Sequence, residues 1–144
     1  MEYTIREAII ADAEALSELN AIEMGYDYSP EETAIKIRAA LSRETDRIYV
    51  AICGEKVVGY IHACDYDLLF LPSMKNILAL AVFSEYCGNG IGSALMAKVE
   101  NWAKSTDACG IRLVSGESRV IAHSFYEKCG FTSDKMQKNY KKMF

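Results

Sequence analysis

The sequence predicts a mixed α/β domain in which a sheet of six or seven strands is flanked by four helices. Three observations predict this class: four segments with apolar residues at helical spacing, strand-length apolar runs between them, and glycine or proline turn signals at the junctions. The chain has 144 residues, which fits one domain over residues 1–144. A domain of this size buries roughly two-thirds of its unfolded surface and needs no metal or disulfide.

Composition excludes several classes of function. The formal net charge is -4 and 51% of residues are hydrophobic, which is typical of a soluble globular protein. No run approaches the ~18 apolar residues of a membrane span, and no secretory signal is visible. The lysines near the C-terminus suit an exposed strand better than a nucleic-acid surface. Five scattered cysteines without metal-site spacing indicate reduced thiols, so we expect a cytoplasmic protein without metal, membrane or nucleic-acid partners.

The N-terminal third predicts a strand and two helices. Residues 3–8 alternate weakly, which indicates a first strand. Asp12 is a candidate N-cap for a helix that buries Leu16 and Leu19 and ends near Gly25. The sequence Ser-Pro-Glu-Glu at residues 29–32 then starts a second helix, with serine as the cap and proline at the first helical position.

A hairpin and a buried strand follow. Residues 48–52 and 56–63 are strand segments joined by a tight turn at Gly54. Residues 77–82 form a continuous apolar run, which predicts a central strand buried on both faces.

The last third predicts a helix over residues 91–105, a strand over 111–114 and a fourth helix capped by Ser118. That helix would turn Ile121 and Phe125 toward the core and stop at Gly130. Residues 132–144 would return as one or two strands, so the predicted order is β-α-α-β-β-β-α-β-α-β with an optional final strand.

The turn between the buried strand and the third helix carries the most information about function. It contains Gly88, Gly90 and Gly92, and it opens directly into an amphipathic helix. The first N–H groups of a helix have no partner within it and carry partial positive charge, and glycines let a phosphate approach them. This context predicts a diphosphate site. A flexible loop is the plain alternative; a dinucleotide motif fails because its last glycine is Ser93, and no P-loop lysine follows.

Two motifs resemble the GNAT superfamily of N-acetyltransferases, in its small bacterial form. The turn is similar to the family pattern Q/R-x-x-G-x-G/A, with Gly90 and Gly92 at the small positions and Cys87 where Arg or Gln is preferred. Residues 115–131 look like the family's fourth-helix pattern S-G-x-x-R-x-x-A-H-x-F-Y-E-x-x-G-F.

The resemblance implies a binding mode for acetyl-CoA as cosubstrate. The sheet would be mostly antiparallel. Two parallel strands within it, over residues 78–82 and 111–114, would splay apart around the pantetheine arm, which would bond to the backbone of the first strand like an added strand. The pyrophosphate would lie on the turn. The cofactor-binding residues so implied are Leu80, Ala81, Val82, Cys87, Gly88, Asn89, Gly90, Ile91, Gly92, Ser93, Arg119 and Tyr126.

The family also implies the catalytic group. Tyr126 stands where members place a tyrosine near the CoA sulfur, and a phenol can return a proton to a thiolate. The N–H of Val82 would stabilise the oxyanion. The general base stays open, and the candidate carboxylates are Glu23, Asp27, Asp65, Asp67 and Glu117.

The acceptor would be an amine, and we favour a small-molecule primary amine. Tyr26, Asp27 and Tyr28 lie in the loop between the first two helices, where aromatic and acidic groups would suit a cation. Acetylation of a protein N-terminus or lysine is one alternative, and a non-catalytic acyl-CoA-binding regulatory domain is another. Dimers are common among family members, so a homodimer is a further partner that the resemblance admits.

Overall fold

The computed structural model describes all 144 residues, which form two compact units, residues 1–113 and 114–144. The first unit contains, in order, β1 (Thr4–Glu7), α1 (Ala13–Met24), α2 (Pro30–Leu41), β2 (Asp46–Cys53), β3 (Lys56–Tyr66), β4 (Met74–Val82), α3 (Ile91–Ser105) and β5 (Ile111–Arg112). The second unit contains α4 (Val120–Lys128). The predicted mixed fold with four helices is confirmed. None of these helices combines the length and the apolar character that crossing a membrane requires.

The helix signals of the N-terminal third act as the sequence predicts. The Ser29 hydroxyl accepts a hydrogen bond from the Glu32 N–H at 3.1 Å, and Pro30 is the first residue of α2. Gly25 ends α1 with φ of 77°, a left-handed conformation that glycine adopts without a steric cost. These two caps fix the loop between α1 and α2.

The sheet has five strands in the order β1-β2-β3-β4-β5. Every neighbouring pair is antiparallel except β4 and β5, which are parallel and pair only at Lys75↔Ile111 and Asn76↔Arg112. The fifth strand therefore covers residues 111–112 and not the expected 111–114.

The expectation of six or seven strands was wrong because residues 132–144 form no strand. A strand buries alternate side chains, whereas the large apolar residues of this segment recur at intervals of four, three and one. They also stay exposed, and they are Met136, Tyr140, Met143 and Phe144.

The two faces of the sheet are covered by different helices. Tyr60 and Asp65 lie on opposite faces because side chains alternate along β3. The Tyr60 hydroxyl bonds to Asn20 of α1, whereas Asp65 pairs with Lys75, whose ammonium lies 4.0 Å from the Trp102 ring centre of α3. The core therefore has two layers, and its most deeply buried side chains are Leu19, Val50, Val58, Ile61, Ile91, Leu95, Met96 and Val99.

A bulge interrupts β4 beside the point where its parallel pairing ends. His62 is opposite Ala79 and Ala63 is opposite Ile77, so Leu78 is an extra residue without a partner on β3. A bulge bends its strand and increases the local twist. The side chain of Leu78 is 53% exposed, in contrast to the fully buried central strand that the apolar run predicted.

Candidate functional site

The turn before α3 presents a row of backbone donors. The Cys87 N–H is bonded to the Ser84 carbonyl at 3.2 Å, whereas the N–H groups of residues 88–93 have no acceptor within the protein. Gly88 and Gly90 have φ of 81° and 83°, which L side chains rarely adopt. The turn thus places six consecutive amides at the N-terminus of the 15-residue α3, where the helix dipole favours an anion.

The Cys87 side chain adds no positive charge to this turn. Its sulfur lies 3.8 Å from the Val82 carbonyl oxygen and 3.6 Å from that of Phe83, so it is directed back toward the end of β4. Desolvation of the thiol, together with the negative charges of Glu23 and Glu85, raises the pKa of Cys87. The side chain of residue 87 therefore offers no charge to an anion, and the donors of the turn are its backbone amides.

Lys56 places a cation beside the segment that precedes the turn, and sequence reasoning missed it. Its ammonium lies 4.8 Å from the Phe83 ring centre and 5.8 Å from that of Tyr86, in the segment between β4 and the turn. The turn of the β2–β3 hairpin brings Lys56 there. The signal available in the sequence was the predicted hairpin, which places residue 56 at the same end of the sheet as the end of β4.

Each residue of β4 directs its backbone N–H and C=O groups to one of the two edges of the strand. The Phe83 N–H donates to the Val58 carbonyl at 2.9 Å. Because backbone groups of an antiparallel strand alternate between its two neighbours, the backbone groups of Ala81 also face β3, and those of Leu80 and Val82 face the opposite edge. That edge has no strand partner beyond Asn76. Leu80 and Val82 therefore have the backbone orientation that an added extended chain requires, and Ala81 does not.

The second unit holds the remaining predicted site residues. Tyr126 packs edge-on against Phe125 and Phe131, with ring centres 5.5 and 5.9 Å apart, and burial raises the pKa of its phenol. Arg119 is the N-cap residue of α4 and is exposed, so the helix begins one residue later than a Ser118 cap predicts. The expectation that Ile121 faces the core was wrong, because its side chain is 86% exposed.

The sequence profile of the Acetyltransferase (GNAT) family matches residues 13–131, a span that includes the turn, β4 and α4. The chain belongs to this family. The resemblance expected from the two motifs is thereby confirmed.

Two curated relatives carry acetyltransferase names. An uncharacterized N-acetyltransferase of Methanocaldococcus jannaschii is 36% identical over 97 residues, which cover 64% of this chain and 56% of the relative. Streptothricin acetyltransferase of Escherichia coli is 33% identical over 95 residues, covering 63% of this chain and 50% of the relative. The chain thus matches about half the length of these relatives.

Solved structures agree with the fold. A transcriptional regulator from Bacillus halodurans C-125 superposes with a TM-score of 0.87 at 25% identity, covering 99% of this chain and 100% of that one. Aminoglycoside N-acetyltransferase AAC(6')-Iy in complex with CoA gives a TM-score of 0.87 at 14% identity, covering 98% of this chain and 95% of that one. The GNAT fold therefore extends over almost the whole chain.

Two of the carboxylates considered as the base of a GNAT enzyme are engaged elsewhere. Glu23 accepts hydrogen bonds from the Ser84 N–H at 3.2 Å and from its hydroxyl at 2.9 Å, so it holds the segment after β4. Asp65 is paired with the buried Lys75. Both carboxylates therefore make contacts that hold parts of the fold together.

The other three carboxylates are exposed. Asp67 lines an open cavity of about 410 Å³ together with Glu44 and Lys75, near the N-terminal end of β4 and thus at the opposite end of the strand from the glycine turn. Asp27 and Glu117 are exposed and form no ion pair. Asp67 therefore lies away from the part of β4 that precedes the glycine turn.

A buried carboxylate beside the bulge of β4 was missed from the sequence. Asp46 accepts hydrogen bonds from Arg43 at 3.1 Å, from the Thr45 hydroxyl at 2.8 Å and from His62 Nε2 at 2.7 Å. Burial by itself would raise the pKa of Asp46, but these hydrogen bonds outweigh it and lower the value to about 2. His62 in turn pairs with Ala79, next to Leu78. Only the pairing register of β2 and β3 could have revealed this contact.

Proposed function

We propose that this chain is an acetyl-CoA-dependent N-acetyltransferase, acting as the single domain that the sequence predicts. The observation that carries the proposal is the row of six unbonded amides at residues 88–93, next to a β4 edge that is free beyond Asn76. A diphosphate needs such donors, and a pantetheine arm needs such an edge. Membership in the GNAT family supports the assignment of both to one cofactor.

The pyrophosphate of acetyl-CoA would accept hydrogen bonds from the amides of Gly88, Asn89, Gly90, Ile91, Gly92 and Ser93. The pantetheine amides would bond to the outward-facing backbone of Leu80 and Val82, as a peptide does when it adds to a sheet edge. Ala81 would contribute to the strand and not to a cofactor hydrogen bond, because its backbone faces β3. Lys56 is a candidate for a longer-range attraction to the phosphates.

The chemistry requires three groups. The neutral amine attacks the thioester carbonyl, and the negative charge that develops on the oxygen would be stabilised by the Val82 N–H, an interaction of about 3 kcal/mol when well aimed. The tetrahedral intermediate then collapses, the C–S bond breaks, and the Tyr126 phenol gives its proton to the leaving thiolate. The attacking nitrogen loses its extra proton to water or to a carboxylate near the acceptor, and a proton from solvent restores the Tyr126 phenol, which completes the proton balance.

The acceptor that we favour is a small-molecule primary amine. Support comes from the relative named streptothricin acetyltransferase and from the structural neighbour named aminoglycoside N-acetyltransferase. Tyr26 is 66% exposed and Tyr28 is 40% exposed, in the loop between α1 and α2, so both are accessible to an incoming molecule. A free amine has a pKa near 10.4 and is neutral in about one of 2,500 molecules at pH 7, so deprotonation costs roughly 4–5 kcal/mol.

The experiment combines binding with turnover. Calorimetry should show acetyl-CoA binding with a dissociation constant on the order of tens of micromolar or lower, and CoA release should rise on addition of small primary amines. The panel also contains a lysine-bearing peptide and a peptide with a free N-terminus. Release with the peptides alone would move the function to protein acetylation. Binding without release for any amine would favour an acyl-CoA-binding regulatory domain, and absence of binding would refute the proposal.

A further inference from the structure

Glu23 extends from the last turn of α1 to the segment that joins β4 to the glycine turn. Its Oε1 accepts a hydrogen bond from the Ser84 N–H at 3.2 Å, and the Ser84 hydroxyl lies 2.9 Å from each of its two carboxylate oxygens. The two residues are 61 positions apart in the chain, so the contact exists only in the folded protein. It joins the end of a helix to the beginning of the proposed cofactor site.

The helix that carries Glu23 is itself fixed on the sheet. Asn20, three residues earlier and therefore on the same side of α1, accepts a hydrogen bond from the hydroxyl of the buried Tyr60 of β3. Leu16 and Leu19 of the same helix are buried in the core. Glu23 thus projects from an element that cannot shift without disturbing the core.

Hydrogen bonds carry the position of Ser84 to the first amides of the turn. The Ser84 carbonyl accepts a hydrogen bond from the Cys87 N–H at 3.2 Å. The Asn89 side-chain amide donates to the carbonyls of Tyr86 and Cys87, at 3.1 and 3.3 Å. Residues 84–89 therefore form one hydrogen-bonded segment, and the row of unbonded amides begins within it.

The charge of Glu23 is unfavourable at this place. Burial, followed by the negative charges of Glu23 and Glu85, raises the pKa of Cys87, so the field of both carboxylates reaches the turn. A negative potential there opposes the binding of a diphosphate. Glu23 therefore weakens this anion site unless its contacts contribute more than its charge removes.

Glu85 has the same charge in the same segment without the same contacts. It is exposed and forms no ion pair, whereas both donors of Ser84 are directed at Glu23. A comparison of the two carboxylates thus separates the effect of a charge from the effect of a contact.

We propose that Glu23 is a positioning residue of the acetyl-CoA site. By holding Ser84 it sets the direction in which the chain leaves β4, and so aligns the amides of residues 88–93 with the outward-facing backbone of Val82. The diphosphate and the pantetheine arm of one cofactor molecule then meet preorganised partners. The inference rests on the proposed N-acetyltransferase function, which assigns both sets of backbone groups to acetyl-CoA, and it removes Glu23 from the candidate bases.

Acetyl-CoA calorimetry on a set of variants tests this role. The set contains Glu23→Ala, Glu23→Gln, Ser84→Ala and the double variant Glu23→Ala/Ser84→Ala, with Glu85→Ala as the matched control. Alanine is a good helix former at residue 23, and none of the three side chains is buried, so the variants should fold. Urea denaturation verifies this for each of them.

Glu23→Ala should raise the dissociation constant of acetyl-CoA at least about 5-fold although it removes a repelling charge, because hydrogen bonds to a charged group are lost. Glu85→Ala removes charge alone, so it should leave the constant unchanged or lower it by up to about 5-fold. Glu23→Gln keeps an oxygen acceptor and should bind more tightly than Glu23→Ala. The double variant should bind no more weakly than Glu23→Ala, since the two residues act through one contact.

The possible failures are distinguishable. Equal affinities in Glu23→Ala and Glu85→Ala would show that only charge matters, and would overturn this inference while leaving the proposed function intact. A loss of kcat in Glu23→Ala at unchanged affinity, measured by CoA release, would do the same and return Glu23 to the candidate bases. Acetyl-CoA binding by the wild type without release for any amine would refute acetyl transfer alone, because the calorimetric comparison needs no acceptor. A wild type that binds no acetyl-CoA would overturn both.

Discussion

The Phe83 N–H donates to the Val58 carbonyl at 2.9 Å, and this bond fixes the direction in which β4 presents its backbone. Since bonding alternates along an antiparallel strand, Val82 faces the edge without a strand partner. Gly59 lies opposite Val82 in the register and allows the two strands to approach closely. The side chain missing at residue 59 is therefore part of what holds the proposed oxyanion donor in place.

Replacement of Gly59 should disturb this edge. A Cβ at residue 59 would lie 3.0 Å from the Ala81 carbonyl oxygen and 3.1 Å from Val82 Cγ2, closer than ordinary contacts. Gly59→Ala should therefore displace β4, lower the free energy of unfolding by about 1–3 kcal/mol and weaken acetyl-CoA binding. Urea denaturation and calorimetry measure the two effects.

Gly110→Ala is the matched control for Gly59→Ala. Its added Cβ would meet only the terminal methyl of Met74, at 3.2 Å, and that flexible side chain can move. We expect near-normal acetyl-CoA affinity for this variant. Equal affinity in Gly59→Ala and the wild type would contradict the role given to the β3–β4 contact.

The glycine turn gives a second prediction. Gly90 has φ of 83°, so an alanine there must either accept strain or let the turn relax and redirect its amides. Gly90→Ala should raise the dissociation constant of acetyl-CoA at least about 10-fold, because several amide–phosphate bonds of about 1.5–3 kcal/mol depend on the turn. Calorimetry at constant ionic strength provides the measurement.

Gly25→Ala is a control that distinguishes a loss of stability through backbone strain from a loss of acetyl-CoA affinity. Gly25 has φ of 77° at the end of α1 and, like Gly90, has no close obstruction to a Cβ. Both variants should lose about 1 kcal/mol of stability, and only the Gly90 variant should lose affinity. If the two bind acetyl-CoA equally well, the amides of the turn do not hold the phosphates.

The features that the sequence predicted correctly depend on neighbours along the chain. The cap of α2 at Ser29 requires only the next three residues, and the turn before α3 requires only its own glycines and the helix that follows. Such signals are local, so a single sequence contains them in full.

The features that could not be predicted depend on pairing across the sheet. Asp46 and His62 meet only because β2 and β3 pair in one register, and Leu78 is a bulge only relative to β3. The length of β5 depends on how far it pairs with β4. The basic C-terminal segment predicted a strand that does not form. A one-residue change of register would separate Asp46 from His62 and would move the bulge away from Leu78. No local sequence pattern specifies the register.

The hydrogen bonds that Asp46 accepts from Arg43, Thr45 and His62 should make the free energy of unfolding depend on pH in the acid range. The folded-state pKa of Asp46, about 2, is below its ordinary value of 3.8, so its stabilising contribution is present above pH 4 and is lost as the pH falls toward 2. Asp46→Asn should lower the free energy of unfolding by about 1–2 kcal/mol at pH 7. The value is this small because solvent screens the exposed Arg43. Urea midpoints at pH 7 and pH 3 should differ less in the variant than in the wild type.

A control for the Asp46 prediction is available on the surface. Asp107 forms no ion pair, so Asp107→Asn should retain the full difference between pH 7 and pH 3. Asp12 also has a lowered pKa, because its bonds to Arg6 and to the Ile9 N–H outweigh its burial, so some acid sensitivity should persist in Asp46→Asn. An unchanged difference in Asp46→Asn would show that the cluster contributes nothing at neutral pH.

The last prediction concerns the proposed catalytic acid. Tyr126 must be protonated to act, and burial raises its pKa above the ordinary value near 10, so any decline of wild-type kcat with rising pH should be centred above pH 10. Tyr126→Phe should lower kcat by about 10²-fold or more over this range while acetyl-CoA affinity stays within about 2-fold, because the ring and its packing on Phe125 and Phe131 remain. Tyr140→Phe, at a tyrosine that is 82% exposed, should be indistinguishable from the wild type. A Tyr126→Phe enzyme with full kcat would assign the thiolate proton to another donor, and parallel loss of kcat and affinity would make Tyr126 a cofactor contact only.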